Sequence, residues 1–174
     1  MRVVAGAYRG RRIEAPQGRA TRPTSDRVRE ALFSILGPIE GVRVLDLFAG
    51  SGALGIEALS RGAADAVFVD SDARAVAAVR RNLAALGADA EVYRRDAFAW
   101  LGAASGAFDL VFADPPYSSA SRTAGRLSEL LPPLLTDISL TVTESDKRDP
   151  LLLAMPLIDE RIYGDTRIAI HRGR

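Results

Sequence analysis

From residue 42 to about residue 131 the chain repeats one pattern: a short apolar run, then a longer stretch with apolar positions three and four apart. Residues 42–48, 66–70, 90–94 and 108–113 have strand character. Helical stretches follow them, to about Arg61, over 72–86, over 97–104 and over 119–131. In the second, Val76, Val79, Leu83 and Leu86 share one side, and Gly87 is placed to end it with a positive φ. Such alternation predicts an α/β fold with a parallel, doubly wound sheet and right-handed crossovers.

Each of these four strands ends in or beside an acid: Asp46, Asp70, Asp96 and Asp114. Ligands of open α/β sheets bind outside the carboxyl ends of the strands, so four carboxylates in series there point to a binding edge. The first opens Asp46-Leu47-Phe48-Ala49-Gly50-Ser51-Gly52, where Gly50 and Gly52 permit a tight turn and a close approach of ligand to backbone. Residues 50–55 also read G-x-G-x-x-G, a dinucleotide fingerprint that is weak alone. Asp70 follows Asp46 by 24 residues, close to the spacing of a ribose-binding acid. An acid leading into the glycine loop suits a cationic amino-acid group better than a pyrophosphate, so S-adenosylmethionine is favoured over NAD. Asp96 then meets the exocyclic amine of adenine, beside a wall formed by Ala97 and Phe98, and Phe48, Ala49 and Ser71 complete the cofactor set.

The fourth acid begins Asp114-Pro115-Pro116-Tyr117. Two prolines stiffen the loop and leave carbonyls free to accept, so the strand presents a rigid tip with an acid, acceptor oxygens and a flat ring. Such a tip fits a planar group bearing N–H donors.

Outside this repeat, residues 2–5 and 11–15 suggest a hairpin, followed by a helix with Val28, Ala31, Leu32 and Ile35 on one face, stopped at Gly37-Pro38. Residues 1–31 hold eight arginines and three acids, a surplus of +5 in a chain whose net charge is +1. This basic arm on a slightly acidic body resembles a nucleic-acid footprint. We therefore divide the chain into a hairpin-and-helix extension, 1–37, and a catalytic domain, 38–174. Near the end, 138–144, 157–162 and 166–171 read as strands, 145–150 as a polar loop, and 151–156 fits neither class. No cysteine is present and His171 is the single histidine, so thiolate chemistry, cysteine-based zinc and a Ser-His-Asp triad are excluded or improbable, and no metal site is expected. No apolar run approaches the ~20 residues of a membrane span, and the first residues lack a signal-peptide core. We expect a cytoplasmic monomer.

Taken together, the glycine-loop motif, Asp70, Asp96 and Asp114-Pro115-Pro116-Tyr117 resemble class I methyltransferases that modify exocyclic amines of bases. Gly6, Arg9-Gly10-Arg11, the run from Arg22 to Phe33, and Tyr163-Gly164-Asp165-Thr166 are similar to the small bacterial 16S rRNA guanine-N2-methyltransferases of the RsmD type. The chain departs at Ser34, where the family more often has Asn, and at Tyr117, where Phe is common. The resemblance implies a seven-stranded, mostly parallel sheet with an antiparallel last strand and S-adenosylmethionine as donor. The implied acceptor is a guanine of 16S rRNA, in the small ribosomal subunit or its assembly intermediate. It further implies that Asp114, Pro115, Pro116 and Tyr117 form the catalytic tip, and that Arg9, Arg11, Arg12, Arg22 and Thr24 meet RNA. Rival readings are N6-adenine methylation of DNA or RNA, a NAD-dependent oxidoreductase, and a non-catalytic RNA-binding module.

Overall fold

In a computed structural model, residues 1–16, 25–116 and 120–173 are described. Tyr117, Arg22 and Thr24 therefore lie outside the described residues. The expected alternation is present: β1 (Arg43–Leu47), α2 (Ala53–Ser60), β2 (Asp65–Asp70), α3 (Ala73–Leu86), β3 (Glu91–Arg94), α4 (Ala97–Leu101), β4 (Phe108–Ala113) and α5 (Ala120–Leu130) follow an N-terminal α1 (Asp26–Leu36). Then come β5 (Leu135–Asp146), β6 (Leu157–Tyr163) and β7 (Thr166–Arg172). Among the described residues these make one seven-stranded sheet in the order β3-β2-β1-β4-β5-β7-β6. Strands β1 to β5 run parallel, and β7 is antiparallel to both of its neighbours. The order reverses between β1 and β4, so the binding crevice of such a sheet falls at their C-terminal ends.

Alternate side chains divide the core into two layers. Val44, Phe68 and Phe112 face one side, where they pack with Leu32, Phe33, Val79 and Leu83 and with Val3 and Ile13 of the N-terminal arm. Leu45, Val67, Val69 and Val111 face the other, against Trp100, Leu127 and Leu131. Residues 151–156 form no regular element, yet Leu151, Leu153 and Met155 are buried in this second layer at alternate positions. Apolar alternation without a ladder partner explains why the stretch fitted neither class. Strand β5 extends beyond the expected 138–144 at both ends because it pairs with β4 on one side and, as far as Asp146, with β7 on the other.

The arm turns back on itself as expected, but its pairing is short: one antiparallel bridge joins Arg2 and Arg12, with Val3 N–H donating to Arg11 O at 2.9 Å, Ile13 N–H to Met1 O at 3.0 Å and Gly10 N–H to Val3 O at 2.9 Å. One expectation needs correction. Helix α1 is turned by one residue from its expected face. Arg29, Leu32 and Phe33 are buried, whereas Ile35 is exposed. The rotation packs Phe33 against Phe112, with tilted rings 5.8 Å apart, and inserts a cation, Arg29, whose partners a periodicity argument cannot see.

Candidate active site

Beyond Leu47 the chain turns sharply. Phe48 has φ 58°, a left-handed conformation that is uncommon for a non-glycine residue and costs of order 1–2 kcal/mol. Gly50 and Gly52 also have positive φ, and Gly52 forms the left-handed cap from which α2 starts. Gly55 serves packing: a Cβ there would lie 2.4 Å from Phe68 Cε1 and 3.0 Å from Asp46 Oδ2. The third glycine thus lets α2 lie directly on β1 and β2, the helix–strand contact the fingerprint requires.

Asp70, the last residue of β2, locks this loop. Its Oδ2 accepts from Gly50 N–H at 2.9 Å, and its Oδ1 accepts from Asp72 N–H at 2.8 Å. One carboxylate therefore fixes the loops after β1 and β2 together. Each oxygen retains a second lone pair, which is what a ribose diol needs. Ser71, the next residue, is exposed. Asp96 caps α4 by accepting from Ala99 N–H at 2.9 Å. Ala97 is packed in the second core layer, so its methyl group does not line a wall. The aromatic surface there is Phe98, edge-on to Phe48 at 6.0 Å, with the Arg126 guanidinium 4.0 Å from the Phe98 ring centre. The strained Phe48 thus carries its ring to this rim, while Ala49 N–H ties the turn to Val69 O at 3.2 Å.

Asp46 is placed differently from the expectation of an acid facing the ligand. It is 3% exposed, and its Oδ2 accepts from Gly55 N–H at 2.9 Å beneath the loop. Burial, reinforced by the Asp70 charge and opposed by the Gly55 hydrogen bond, pushes its carboxyl up to about 8. The folded chain then holds a proton that the unfolded chain releases above about pH 4. Without ligand, stability is expected to fall as pH rises from about 4 to about 8, and to level off above. Denaturant unfolding across this range should show the slope in the native chain and lose it in Asp46→Asn; an unchanged slope would refute the assignment.

One strand over, across the reversal, Asp114 is half-buried, Pro115 buried and Pro116 exposed. In the arm, Arg9, Arg11 and Arg12 are exposed, and Arg11 also donates to Ala85 O.

Sequence reasoning missed the buried polar residues that hold the arm to this site. Glu57 on α2 is fully buried and accepts from Val4 N–H at 2.8 Å and Ala5 N–H at 3.0 Å. It also pairs with Arg29 Nε at 3.4 Å and Arg61 Nε at 2.8 Å. Asn82 on α3 is 2% exposed and binds both peptide groups of Glu14. Glu57 leaves one signal in the sequence, a lone charge between Ile56 and Ala58; Asn82, directly after Arg80 and Arg81, leaves none.

A sheet in this order, with a glycine loop locked by the acid that ends β2 and an Asp-Pro-Pro tip after β4, defines a class I, Rossmann-like methyltransferase. Solved structures agree. The Escherichia coli protein titled "Putative methyltransferase yhhF" superposes with a TM-score of 0.85 at 35% identity, over 99% of this chain and 97% of that one. The chain belongs to the family described as "Conserved hypothetical protein 95", whose model matches residues 1–172. Its relatives include the Bacillus subtilis "Putative rRNA methyltransferase YlbH", 40% identical over the full length of both chains. The E. coli "Ribosomal RNA small subunit methyltransferase D" is 44% identical over 119 residues, which cover 67% of this chain and 60% of that protein. The resemblance to the RsmD type is thereby borne out.

Proposed function

We propose that this chain transfers a methyl group from S-adenosylmethionine to the N2 amine of a guanine in 16S rRNA; the name of its E. coli relative gives small-subunit ribosomal RNA as the substrate class. The observation that carries the reading is the placement of Asp114-Pro115-Pro116 beside a glycine loop that Asp70 holds by Gly50. The residues present fit the cofactor. Asp70 keeps lone pairs for a ribose, the loop presents backbone without a side chain at Gly50, and Phe48 with Phe98 offers an apolar face for adenine. Asp46 acts from beneath, by fixing Gly55.

When bound, S-adenosylmethionine supplies a methyl on a cationic sulfur, and transfer makes an N–C bond as the S–C bond breaks. A guanine amine is a poor nucleophile because its lone pair is delocalised into the ring. The Asp114 carboxylate and the Pro115 carbonyl accept its two N–H groups, which localises the lone pair and aims it. Positioning and electrostatics of this kind supply several kcal/mol without a strong base. The proton leaves the nitrogen only after it has become cationic, when it is strongly acidic. Tyr117 stacks on the base for about 1–3 kcal/mol, after the base has been extruded from folded RNA. Arg9, Arg11, Arg12 and Arg22 meet phosphates, and Thr24 is assigned to RNA binding with them.

The chain acts as a cytoplasmic monomer on the small subunit or its assembly intermediate, with 1–37 as the RNA-binding extension of the methyltransferase domain, 38–174. No helix among the described residues is long and apolar enough to cross a membrane.

Tritium transfer from labelled S-adenosylmethionine to 16S rRNA lacking the modification tests the reading. N2-methylguanosine is the expected product; 6-methyladenosine would instead select the adenine alternative, and no transfer would reject both. Asp70→Ala should weaken cofactor binding by at least about tenfold, since one hydrogen-bonded charge is worth roughly 1.5–3 kcal/mol; unchanged calorimetric affinity would refute the ribose assignment. Replacing Arg9, Arg11 and Arg12 together by Ala should raise the KM for RNA and flatten its salt dependence. An unmoved KM would make the arm structural.

A further inference from the structure

Asn82 touches the two halves of the proposed reaction at once. Its Oδ1 accepts from Glu14 N–H at 2.9 Å, and its Nδ2 donates to Glu14 O at 3.0 Å and to Ser51 O at 2.9 Å. Ser51 stands between Gly50 and Gly52 of the cofactor loop, and Glu14 closes the arm that exposes Arg9, Arg11 and Arg12. Both N–H groups of the amide are thus used, one on each side, by a side chain 2% exposed. A second link runs parallel to it. Val4 and Ala5 N–H bind Glu57, and Tyr8 N–H donates to Ser60 Oγ at 2.9 Å, on the helix that the same loop begins. Ser51 Oγ also donates to Met1 Sδ at 3.7 Å. The arm therefore docks on the loop's own supports, with Val3 and Ile13 buried beneath it.

Resting on the function proposed above, we infer that Asn82 is a positioning residue that couples RNA binding on the arm to cofactor binding in the loop. RNA phosphates on the arm favour its docked state. The docked arm holds Asn82, and Asn82 holds the Ser51 carbonyl in the geometry the cofactor requires. RNA on the arm and cofactor in the loop bear on the same three hydrogen bonds, so each stabilises the geometry the other uses. The coupling is reciprocal and, at ordinary magnitudes, about 5–150-fold.

The test is equilibrium dialysis of tritiated S-adenosylhomocysteine with the full chain, alone and with saturating transcribed 16S rRNA. Two variants are compared. Asn82→Ala removes all three hydrogen bonds; Glu14→Pro removes the arm's N–H but leaves the Nδ2 donation to Ser51 O. In the native chain RNA should tighten the ligand by at least about fivefold, and in both variants the ratio should fall to within about twofold of unity. Thermal unfolding establishes that each variant is folded; if Asn82→Ala is not, Glu14→Pro decides. A native ratio near one, or variants that keep the native ratio while still binding RNA, would overturn the coupling. Either result can occur while the native chain still methylates rRNA, so the parent reading survives it. A native chain that binds neither ligand rejects both.

Discussion

Asp114→Ala is expected to lower kcat by about 10³-fold, roughly 4 kcal/mol of lost transition-state stabilisation, with cofactor affinity changed less than about threefold. The separation follows from the sheet. Asp114 stands at the end of β4, whereas the groups proposed to hold the cofactor, Asp70 and the glycine loop, lie on β2 and after β1 and are fixed by their own backbone hydrogen bonds. Losing the carboxylate removes the acceptor proposed to aim the amine and should leave the cofactor side intact. Asp114→Asn distinguishes clamp from base. Asparagine keeps one acceptor oxygen, so a hydrogen-bonding clamp should retain activity between that of the native chain and Asp114→Ala, whereas a proton-abstracting base should be as inactive as the alanine variant. Single-turnover rates for the three chains, beside calorimetric cofactor titrations, decide the matter. Near-native turnover in Asp114→Ala would sink the assignment.

The largest effect on stability is expected at Glu57. Replacing it by Ala leaves Arg29, a fully buried guanidinium, without its 3.4 Å partner and removes the acceptors of Val4 and Ala5 N–H. Removing one partner of a buried ion pair costs about 3–5 kcal/mol, which in a domain of this size lowers Tm by roughly 10 °C. Asp26, which is half-exposed and 3.0 Å from Arg29, compensates little. Arg29→Met alone should also destabilise, but Glu57→Gln with Arg29→Met should recover part of the loss, because neither buried charge then remains. Calorimetric unfolding of the native chain, Glu57→Gln, Arg29→Met and their double variant forms a double-mutant cycle. A Glu57→Ala shift below about 2 °C would show that the arm's attachment lies elsewhere.

How much of this was legible beforehand follows from the kind of signal each part leaves. The four acids at strand ends were readable because a parallel sheet with helical crossovers brings consecutive C-terminal edges together, and Asp96, Asp70, Asp46 and Asp114 do follow the strand order β3-β2-β1-β4. Their orientation was not readable. Asp46 pairs in the ladder with Phe68 and Phe112 and so points to the layer beneath α2, a consequence of register that a motif does not encode. The turn of α1 was hidden for a related reason: Arg29 counts as polar until its partner, 28 residues later in sequence, is known. Asn82 and Glu57 were missed because their hydrogen bonds go to backbone groups of distant residues, Glu14, Ser51, Val4 and Ala5, whose identities leave no trace.

The position of β7 bears on how the molecule is made. Val142 and Thr143 of β5 are paired with Ile170 and Ala169, so the strand beside β4 gains its second neighbour only from the last segment described. During synthesis β1 to β5 can assemble as they emerge, but β5 then presents a bare edge until residue 172 has cleared the ribosome. An open edge of seven residues, Leu140 to Asp146, is a template for wrong pairing. The hairpin of β6 and β7 closes locally through Tyr163 and Thr166, and hairpins form in about 1–10 μs, so the exposed interval ends as soon as the final strand is free. Nascent chains stalled before β7 are the species most exposed to aggregation.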